Sequence, residues 1–328
     1  MWVTRGKDSC RSKNSTTRLQ FMKVLVTGST GMLGSAILRV LSPTENELLC
    51  PSRQILNLED VSATDKYIEL NRPDLIIHCA AKVGGISANI KNPSEFLTKN
   101  LILDYSLLEA SKRHGVKSLI YIASSCMYPR NLPHAMKEAE ILSGSLEITN
   151  EGYALAKIVG WKTVQMMSVA HNWRTLVLSN LYGPGDHFES GRSHLIAAII
   201  DKVAKAKELK LDSLEMWGDG TARREFTYVE DIALFIRNSM RQLQDFPDTL
   251  NLGSGIDYSV RDYYELVSEA MSYRGTIVPN LLKPTGMERK LMDVSKARAL
   301  GWAPTTSIED GIVETIKWYE SNSMKGYR

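Results

Sequence analysis

The sequence has few cysteines and no long apolar run, and both absences narrow the class of protein. Its four cysteines among 328 residues show no CxxC spacing, so a disulfide-rich scaffold is not indicated. No hydrophobic stretch reaches the roughly 20 residues that a bilayer-spanning helix needs, and no secretory signal is recognisable. We therefore expect a cytoplasmic protein with reduced thiols, no membrane association and no metal site.

Excess positive charge is also absent beyond the first 22 residues. The net charge is +3, but residues 1–22 hold five basic side chains against one acidic one, which leaves −1 for the rest. The sequence therefore gives no reason to expect nucleic-acid binding. Residues 1–22 are predicted to be a disordered basic leader, with a transit peptide or a translation start at Met22 as alternatives.

From residue 23 onwards, strand-like runs alternate with helical stretches. Val24–Thr27 and Leu75–Cys79 are continuous apolar runs, whereas 100–114 and 154–170 have helical periodicity. Such alternation predicts an α/β fold: a Rossmann-type doubly wound parallel sheet with helices on both faces.

The regular alternation ends near Tyr182, where shorter mixed elements begin. We predict a nucleotide-binding domain over 23–181, joined by about 224–252. The segments 182–223 and 253–320 are predicted to form a smaller mixed α/β substrate-binding lobe over the ligand-binding edge of the sheet.

A glycine-rich turn follows the first predicted strand and precedes a helix. The spacing is Gly-x-x-Gly-x-x-Gly, one residue wider than Gly-x-Gly-x-x-Gly. Glycines let the backbone approach a pyrophosphate, and the helix N-terminus favours its negative charge. The sequence thus predicts a dinucleotide site formed by Gly28, Ser29, Thr30, Gly31, Met32, Leu33 and Gly34.

The second predicted strand lacks the terminal carboxylate that usually binds the adenosine ribose of NAD. It ends at Leu49-Cys50-Pro51-Ser52-Arg53, with no acidic residue before Glu59. A guanidinium at Arg53 suits a 2′-phosphate, so the predicted cofactor is NADP.

Tyr153 and Lys157 are one turn apart on a predicted helix and so share a face. A neighbouring cation stabilises a phenolate, so we expect Lys157 to lower the pKa of Tyr153 and to bind the nicotinamide ribose. Ser124 ends the fourth predicted strand, where it can donate a hydrogen bond to a substrate carbonyl. Cys126 follows it, as a buried structural thiol or as a group that moves protons.

Together, the glycine turn, Ser124 and the Tyr153/Lys157 pair resemble the extended short-chain dehydrogenase/reductase family. Longer blocks resemble its GDP-L-fucose synthase branch, which uses NADPH to epimerise and reduce GDP-4-keto-6-deoxy-D-mannose. These blocks are 80–86, 124–129, 153–158, 180–184, 217–221 and 289–294.

The resemblance implies a role for each matching position. Tyr153 is the general acid, Lys157 its partner, Ser124 the carbonyl donor, and Cys126 with His194 the epimerisation pair. It places Arg53, Asn57, Leu58, Ala80, Ala81, Lys157, Asn180, Leu181 and His194 among the cofactor-binding residues. It places Lys202, Trp217, Arg224 and Lys290 at the nucleotide-sugar substrate.

The same resemblance implies a homodimer packed through the helices at 100–114 and 154–170. Thr285 departs from the Asp that the family often has there. Three alternatives stay open: a GDP-4-keto sugar 4-reductase without epimerisation, a UDP-sugar 4-epimerase that retains NAD, and a non-catalytic NADP-sensing module.

Overall fold

Strands and helices alternate along the chain, and the computed structural model describes residues 21–189, 193–283 and 286–323. Most of the predicted leader and Thr285 lie outside these residues. The strands are β1 (Lys23–Thr27), β2 (Glu47–Leu49), β3 (Leu75–His78), β4 (Ser118–Ser124), β5 (Asn172–Leu178), β6 (Asn180–Tyr182), β7 (Ser213–Trp217), β8 (Arg223–Tyr228), β9 (Thr249–Leu252), β10 (Asp257–Ser259), β11 (Thr276–Asn280) and β12 (Arg289–Lys290). The α-helices are α1 (Met32–Leu41), α2 (Val61–Asn71), α3 (Ile86–Lys91), α4 (Pro93–Arg113), α5 (Glu151–Met167), α6 (Leu195–Glu208), α7 (Val229–Ser239), α8 (Val260–Ala270), α9 (Ser295–Ala299) and α10 (Ile308–Ser323).

Six strands form one parallel sheet in the order β2-β1-β3-β4-β5-β9. Every residue of β3 and β9 is buried, as expected where both faces of a sheet are covered. The predicted Rossmann-type α/β fold is confirmed. Because β2 and β3 lie on opposite sides of β1, the carboxyl ends of β1 and β3 border the crevice where such sheets bind ligands.

A smaller sheet is centred on β8. This strand pairs with β10 in antiparallel fashion and with β6 and β12 in parallel, while β7 and β11 form a separate parallel pair. Asp257 on β10 accepts hydrogen bonds from Arg223 on β8 and Arg289 on β12. These contacts fix the strands that carry Arg224 and Lys290.

The predicted return of the chain to the first domain at about residue 224 needs adjustment. Residues 223–228 form β8 in the small sheet, and Phe226 packs in a separate apolar core with Tyr182 and Tyr263. The chain joins the main core with α7 and then the main sheet with β9. We therefore propose a boundary near Val229 for the two-lobe division.

The helix predicted over 100–114 begins earlier, at Pro93. Proline is preorganised for the first helical position because its φ angle is fixed and its missing N–H is not needed there. Asn100 and Asp104 are buried polar residues of this helix. They interrupt the apolar periodicity that the sequence-based prediction used.

Candidate active site

A cavity of about 450 Å³ lies between the carboxyl edge of the main sheet and the smaller lobe. It is lined by residues from both parts of the chain, among them four of the five predicted catalytic residues, the four predicted substrate-binding residues and Asn180. These are Ser124, Cys126, Tyr153, Asn180, His194, Lys202, Trp217, Arg224 and Lys290.

The glycine turn forms a backbone cradle beside the carboxyl end of β3. Gly28 has a φ of +65°, and a Cβ there would lie 2.7 Å from the backbone nitrogen of Ala80. A Cβ on Gly34 would lie 2.2 Å from the carbonyl oxygen of Gly28. Helix α1 starts within this segment, at Met32, and has no acidic residue in its first turn. The turn therefore suits a dinucleotide pyrophosphate.

The other predicted cofactor residues of this turn differ in exposure. Ser29 is buried and donates from Oγ to the carbonyl oxygen of Cys50 at 3.5 Å, whereas Thr30 is exposed. Met32 and Leu33 begin α1 and pack in the main core.

The loop after β2 holds Arg53, Asn57 and Leu58. Arg53 is well exposed, and its guanidinium donates to the carboxylate of Glu59. Asn57 Oδ1 accepts from the backbone nitrogen of Glu59, and Leu58 is buried in the main core. Arg53 therefore reaches a 2′-phosphate only by sharing or leaving its partner Glu59.

Tyr153 and Lys157 lie on α5, with the phenol side chain in the cavity wall. Burial raises the pKa of Tyr153 well above its ordinary value, and electrostatic interactions with Cys126 and Asp104 raise it further. The expected lowering of this pKa by Lys157 is therefore not seen. The Lys157 ammonium lies 3.7 Å from Asp104, so much of its charge is neutralised there.

Ser124 and Cys126 lie where β4 enters a short 3-10 turn. Ser124 Oγ accepts a hydrogen bond from the backbone nitrogen of Cys126 at 3.4 Å. Burial raises the pKa of the Cys126 thiol, whereas the positive charge of Lys290 opposes that rise. Cys126 therefore starts as a thiol, with a cation nearby that favours thiolate formation.

His194 precedes α6 and pairs with an acidic residue that the sequence analysis missed. Its Nδ1 lies 3.3 Å from Oδ1 of Asp186. Burial lowers the pKa of His194, but the Asp186 hydrogen bond and charge outweigh this effect, so the pKa is raised. Asp186 follows the Gly183–Gly185 turn, and this position was the sequence signal available for it.

The opposite part of the cavity is cationic. Lys202 Nζ lies 5.6 Å from the centre of a Trp217 ring, and Lys283 Nζ lies 5.4 Å away. Lys202 also donates to the Tyr264 hydroxyl at 3.0 Å, and burial lowers the pKa values of Lys202 and Arg224. Sequence reasoning missed Lys283, which is separated from Trp217 by more than 60 residues.

Lys290 lies closer to the proposed chemistry than the sequence analysis expected. It pairs in register with Arg224 through β12 and β8. Burial lowers its pKa, while the charges of Cys126 and Glu225 act to raise it. Its ammonium is therefore placed between the cationic end of the cavity and Cys126.

Two further cavity residues present unpaired carbonyl oxygens. Among the described residues, Oδ1 of Asn89 and Oδ1 of Asn150 are buried without a hydrogen-bond partner. Such atoms favour a ligand that supplies hydroxyl donors. Asn180 differs, because its amide donates to the carbonyl oxygen of Glu225 at 2.9 Å.

Three other predicted cofactor-binding residues, Ala80, Ala81 and Leu181, are not among the residues that line this cavity. Ala80 and Ala81 follow β3, and the Ala80 nitrogen donates to Oγ1 of Thr27 at 3.3 Å. Leu181 is a half-buried residue of β6 beside Asn180.

The chain belongs to the NAD dependent epimerase/dehydratase family, whose model matches residues 24–253. It is therefore an NAD(P)-dependent enzyme of that family. It is 42% identical to a GDP-L-fucose synthase from Azorhizobium caulinodans, over 90% of this chain and 96% of the relative. It is 39% identical to a GDP-L-colitose synthase from Yersinia pseudotuberculosis, over 91% of this chain and 98% of the relative.

A solved structure extends the similarity. A GDP-mannoheptose C4 reductase from Campylobacter jejuni with NADP bound has a TM-score of 0.82 and 28% identity, over 92% of this chain and 98% of that one. Across the part of the chain that the structure describes, no helix is long and apolar enough to cross a membrane. The cytoplasmic location stays a prediction.

Proposed function

We propose that this protein uses NADPH for the 3,5-epimerisation and 4-reduction of GDP-4-keto-6-deoxy-D-mannose, giving GDP-L-fucose. The observation that carries the proposal is the single cavity shared by Ser124, Cys126, Tyr153 and His194, with cationic side chains at its other end. The similarity to GDP-L-fucose synthases supports the choice of substrate.

The residues present fit an NADP cofactor. The Gly28 cradle and the start of α1 suit the pyrophosphate, and Arg53 suits the 2′-phosphate. Lys157 lies beyond hydrogen-bond distance of Asp104, which leaves its ammonium able to bind ribose hydroxyls. When bound, NADPH supplies the hydride for the carbonyl carbon.

For the reduction, Ser124 donates a hydrogen bond to the C4 carbonyl oxygen and Tyr153 delivers the proton to it. The raised pKa of Tyr153 keeps the phenol protonated at neutral pH. Lys157 stabilises the phenolate left after proton transfer.

For epimerisation, the C4 ketone acidifies the C–H bonds at carbons 3 and 5. One of the pair Cys126 and His194 removes the proton from one face, and the other returns a proton to the opposite face. Lys290 favours the Cys126 thiolate, and Asp186 favours the His194 imidazolium. Ser124 and Tyr153 hydrogen-bond the enolate oxygen during this step.

At the other end, Lys202 and Arg224 suit the diphosphate, and the Trp217 ring offers a face for packing. The GDP-mannoheptose C4 reductase relative favours a second candidate function, the 4-reduction of a related GDP-4-keto sugar without epimerisation. Cys126 and His194 favour the bifunctional reaction over that candidate.

Proton exchange separates the two functions. The enzyme is incubated with GDP-4-keto-6-deoxy-D-mannose and NADP⁺ in D₂O, and deuterium is located by NMR. We expect deuterium at carbons 3 and 5, reduced at least ~100-fold by Cys126→Ser because a proton-transfer group is weakened. Cys50→Ser, which replaces an exposed thiol, is the matched control. No deuterium at either carbon, together with NADPH oxidation in a separate assay with the same ketosugar, would support the plain reductase.

We further propose a homodimer formed through α4 and α5. These helices expose apolar side chains at Ile102, Tyr105, Leu155, Val159 and Met166. Exposed apolar faces on adjacent helices suit a shared four-helix interface. Sedimentation as a species of twice the chain mass would support this assembly, and sedimentation as a single chain would contradict it.

A further inference from the structure

A buried polar network lies directly beneath the helix that carries Tyr153 and Lys157. Its centre is Asp104 on α4, whose Oδ1 lies 3.0 Å from Nε2 of His78 and 3.7 Å from Nζ of Lys157. The second carboxylate oxygen accepts a hydrogen bond from the Tyr121 hydroxyl. Asp104 is 3% exposed, and His78 and Tyr121 are fully buried.

The network extends to the first strand. Thr27 Oγ1 lies 2.7 Å from Nδ1 of His78, and it also accepts from the backbone nitrogen of Ala80. The Asp104 carboxylate can only accept a hydrogen bond, so the proton of a neutral His78 imidazole lies on Nε2. Nδ1 then accepts a hydrogen bond from the Thr27 hydroxyl. Burial is the main reason that the pKa of His78 is lowered, which favours this neutral form.

Helix α5 approaches this network closely at Gly160. A Cβ there would lie 2.2 Å from the Tyr121 hydroxyl oxygen and 2.8 Å from Oδ2 of Asp104. Lys157 also lies 4.6 Å above the Tyr121 ring. The position of the Lys157 ammonium is therefore set by groups on β3, β4 and α4 rather than by its own helix alone.

The network also sets the charge around the Tyr153 phenol. Burial acts to raise the pKa of Asp104, but Lys157, His78 and Tyr121 outweigh it and the pKa is lowered, so Asp104 is ionised. Besides burial, Cys126 from the turn after β4 and Asp104 from α4 act to raise the pKa of Tyr153, and Lys157 is one turn further along α5. The charge of Lys157 also interacts with His78, which ends β3, with Cys79 directly after it, and with Cys126.

We propose that Asp104, held by His78 and Tyr121, is a positioning residue that neutralises Lys157 and keeps the Tyr153 phenol protonated as the proton donor. This inference rests on the proposed role of Tyr153 in carbonyl reduction. An ammonium without a counter-ion would favour the phenolate before the substrate is reduced. Asp104 limits that effect while leaving the ammonium close enough to stabilise the phenolate once it forms.

The test is a pH titration of the protein without cofactor or substrate. Tyrosine is labelled at Cζ with ¹³C, and the Tyr153 signal is assigned by its loss in Tyr153→Phe. We expect Asp104→Asn to lower the Tyr153 midpoint by about one pH unit or more, because it removes a buried negative charge. Tyr121→Phe keeps the ring under Lys157 and the charge of Asp104 but removes one donor to that carboxylate, so we expect a smaller shift of the Tyr153 midpoint, to higher pH.

The matched control is Asp231→Asn. Asp231 is a buried carboxylate that accepts from Thr305 and Thr306, far from α5 in the fold. It is expected to leave the Tyr153 midpoint unchanged. Asp104→Glu retains the charge and is expected to restore the wild-type midpoint. If Asp104→Asn fails to fold, Tyr121→Phe decides, and an unchanged midpoint in that variant overturns the proposal.

Kinetics provide the second measurement. The alkaline limb of the kcat/KM profile for ketosugar reduction is expected to move to lower pH in Asp104→Asn by the same amount as the phenol midpoint. Equal Tyr153 midpoints in wild type and Asp104→Asn would overturn the inference. A shifted midpoint in a protein that reduces no GDP-ketosugar would leave it standing and reject the proposed function.

Discussion

The proposed cofactor side and the proposed substrate side of the site are built in different ways. The cofactor side uses main chain: a glycine turn, the N-terminus of α1 and the ends of parallel strands. The substrate side uses long cationic and aromatic side chains from α6, β7, β8 and β12. A backbone site tolerates no added atoms, whereas a side-chain site depends on individual charges.

The two sides also differ in how far apart their residues lie in the sequence. The glycine turn is complete within Gly28–Gly34, so a local pattern suffices to recognise it. The substrate side brings together Lys202 on α6 and Lys290 on β12, which are 88 positions apart in the sequence. Substitutions on the two sides should therefore have different signatures.

The largest expected effect is on the backbone side. Gly28→Ala combines an unfavourable φ of +65° with a Cβ 2.7 Å from the Ala80 nitrogen. We expect NADPH affinity to fall by more than ~100-fold in a fluorescence titration, since the cradle must open. Gly115→Ala has nearly the same φ, +68°, but no neighbour within 4 Å of its Cβ. Gly115→Ala therefore tests the effect of backbone strain alone. An equal loss of NADPH affinity in both variants would contradict the proposed backbone cradle.

The next effect is expected on the side-chain side. Lys202→Met removes an ammonium proposed to bind the diphosphate, so KM for the GDP-ketosugar should rise about tenfold while kcat changes little. Lys205→Met removes an exposed lysine one turn further along α6, where it pairs with Asp201. The KM difference between these variants should shrink at high salt. A fall in kcat without a change in KM would place Lys202 in a different role.

The smallest effect is expected for Arg53, because it is a side chain in a region where the main chain forms most of the proposed cofactor site. Arg53→Ser is expected to weaken NADPH several-fold more than NADH, since the guanidinium is proposed to contact the 2′-phosphate. Arg113→Ser breaks another exposed Arg–carboxylate pair, with Asp65, and serves as the control. Equal losses for the two cofactors would mean that Glu59 retains Arg53 in the complex.

The fold and the residues facing the cavity were largely predictable because their signals are local. Apolar strands alternating with helices predicted the main sheet, and Tyr153 with Lys157 is a pattern within one helical turn. Asp104 and Asp186 were not predictable in the same way. Asp104 contacts His78 on another element, and Asp186 pairs with His194 eight residues further along the chain. In addition, a buried carboxylate in a helix, such as Asp104, gives no periodic signal.

The direction of the Tyr153 pKa shift was also beyond the sequence. The spacing of Tyr153 and Lys157 predicted a lowered pKa, but burial of the phenol raises it, and Asp104, 49 positions upstream of Tyr153, acts in the same direction. The position of Lys290 also differs from the one expected from the sequence, because it too depends on residues that are distant in the chain. Pairing of β12 with β8 brings it towards Cys126, and strand pairing of two residues leaves no sequence pattern.

Trp217 belongs to the β7–β11 ribbon, whereas Arg224 and Lys290 belong to strands tied together by Asp257. Evolution can therefore vary the ribbon and the residues that flank its tryptophan while the arginine-bearing sheet stays intact. A lineage of enzymes built on this plan can exchange one sugar for another through small changes at the periphery. The residues proposed for carbonyl reduction, Ser124, Tyr153 and Lys157, would stay unchanged.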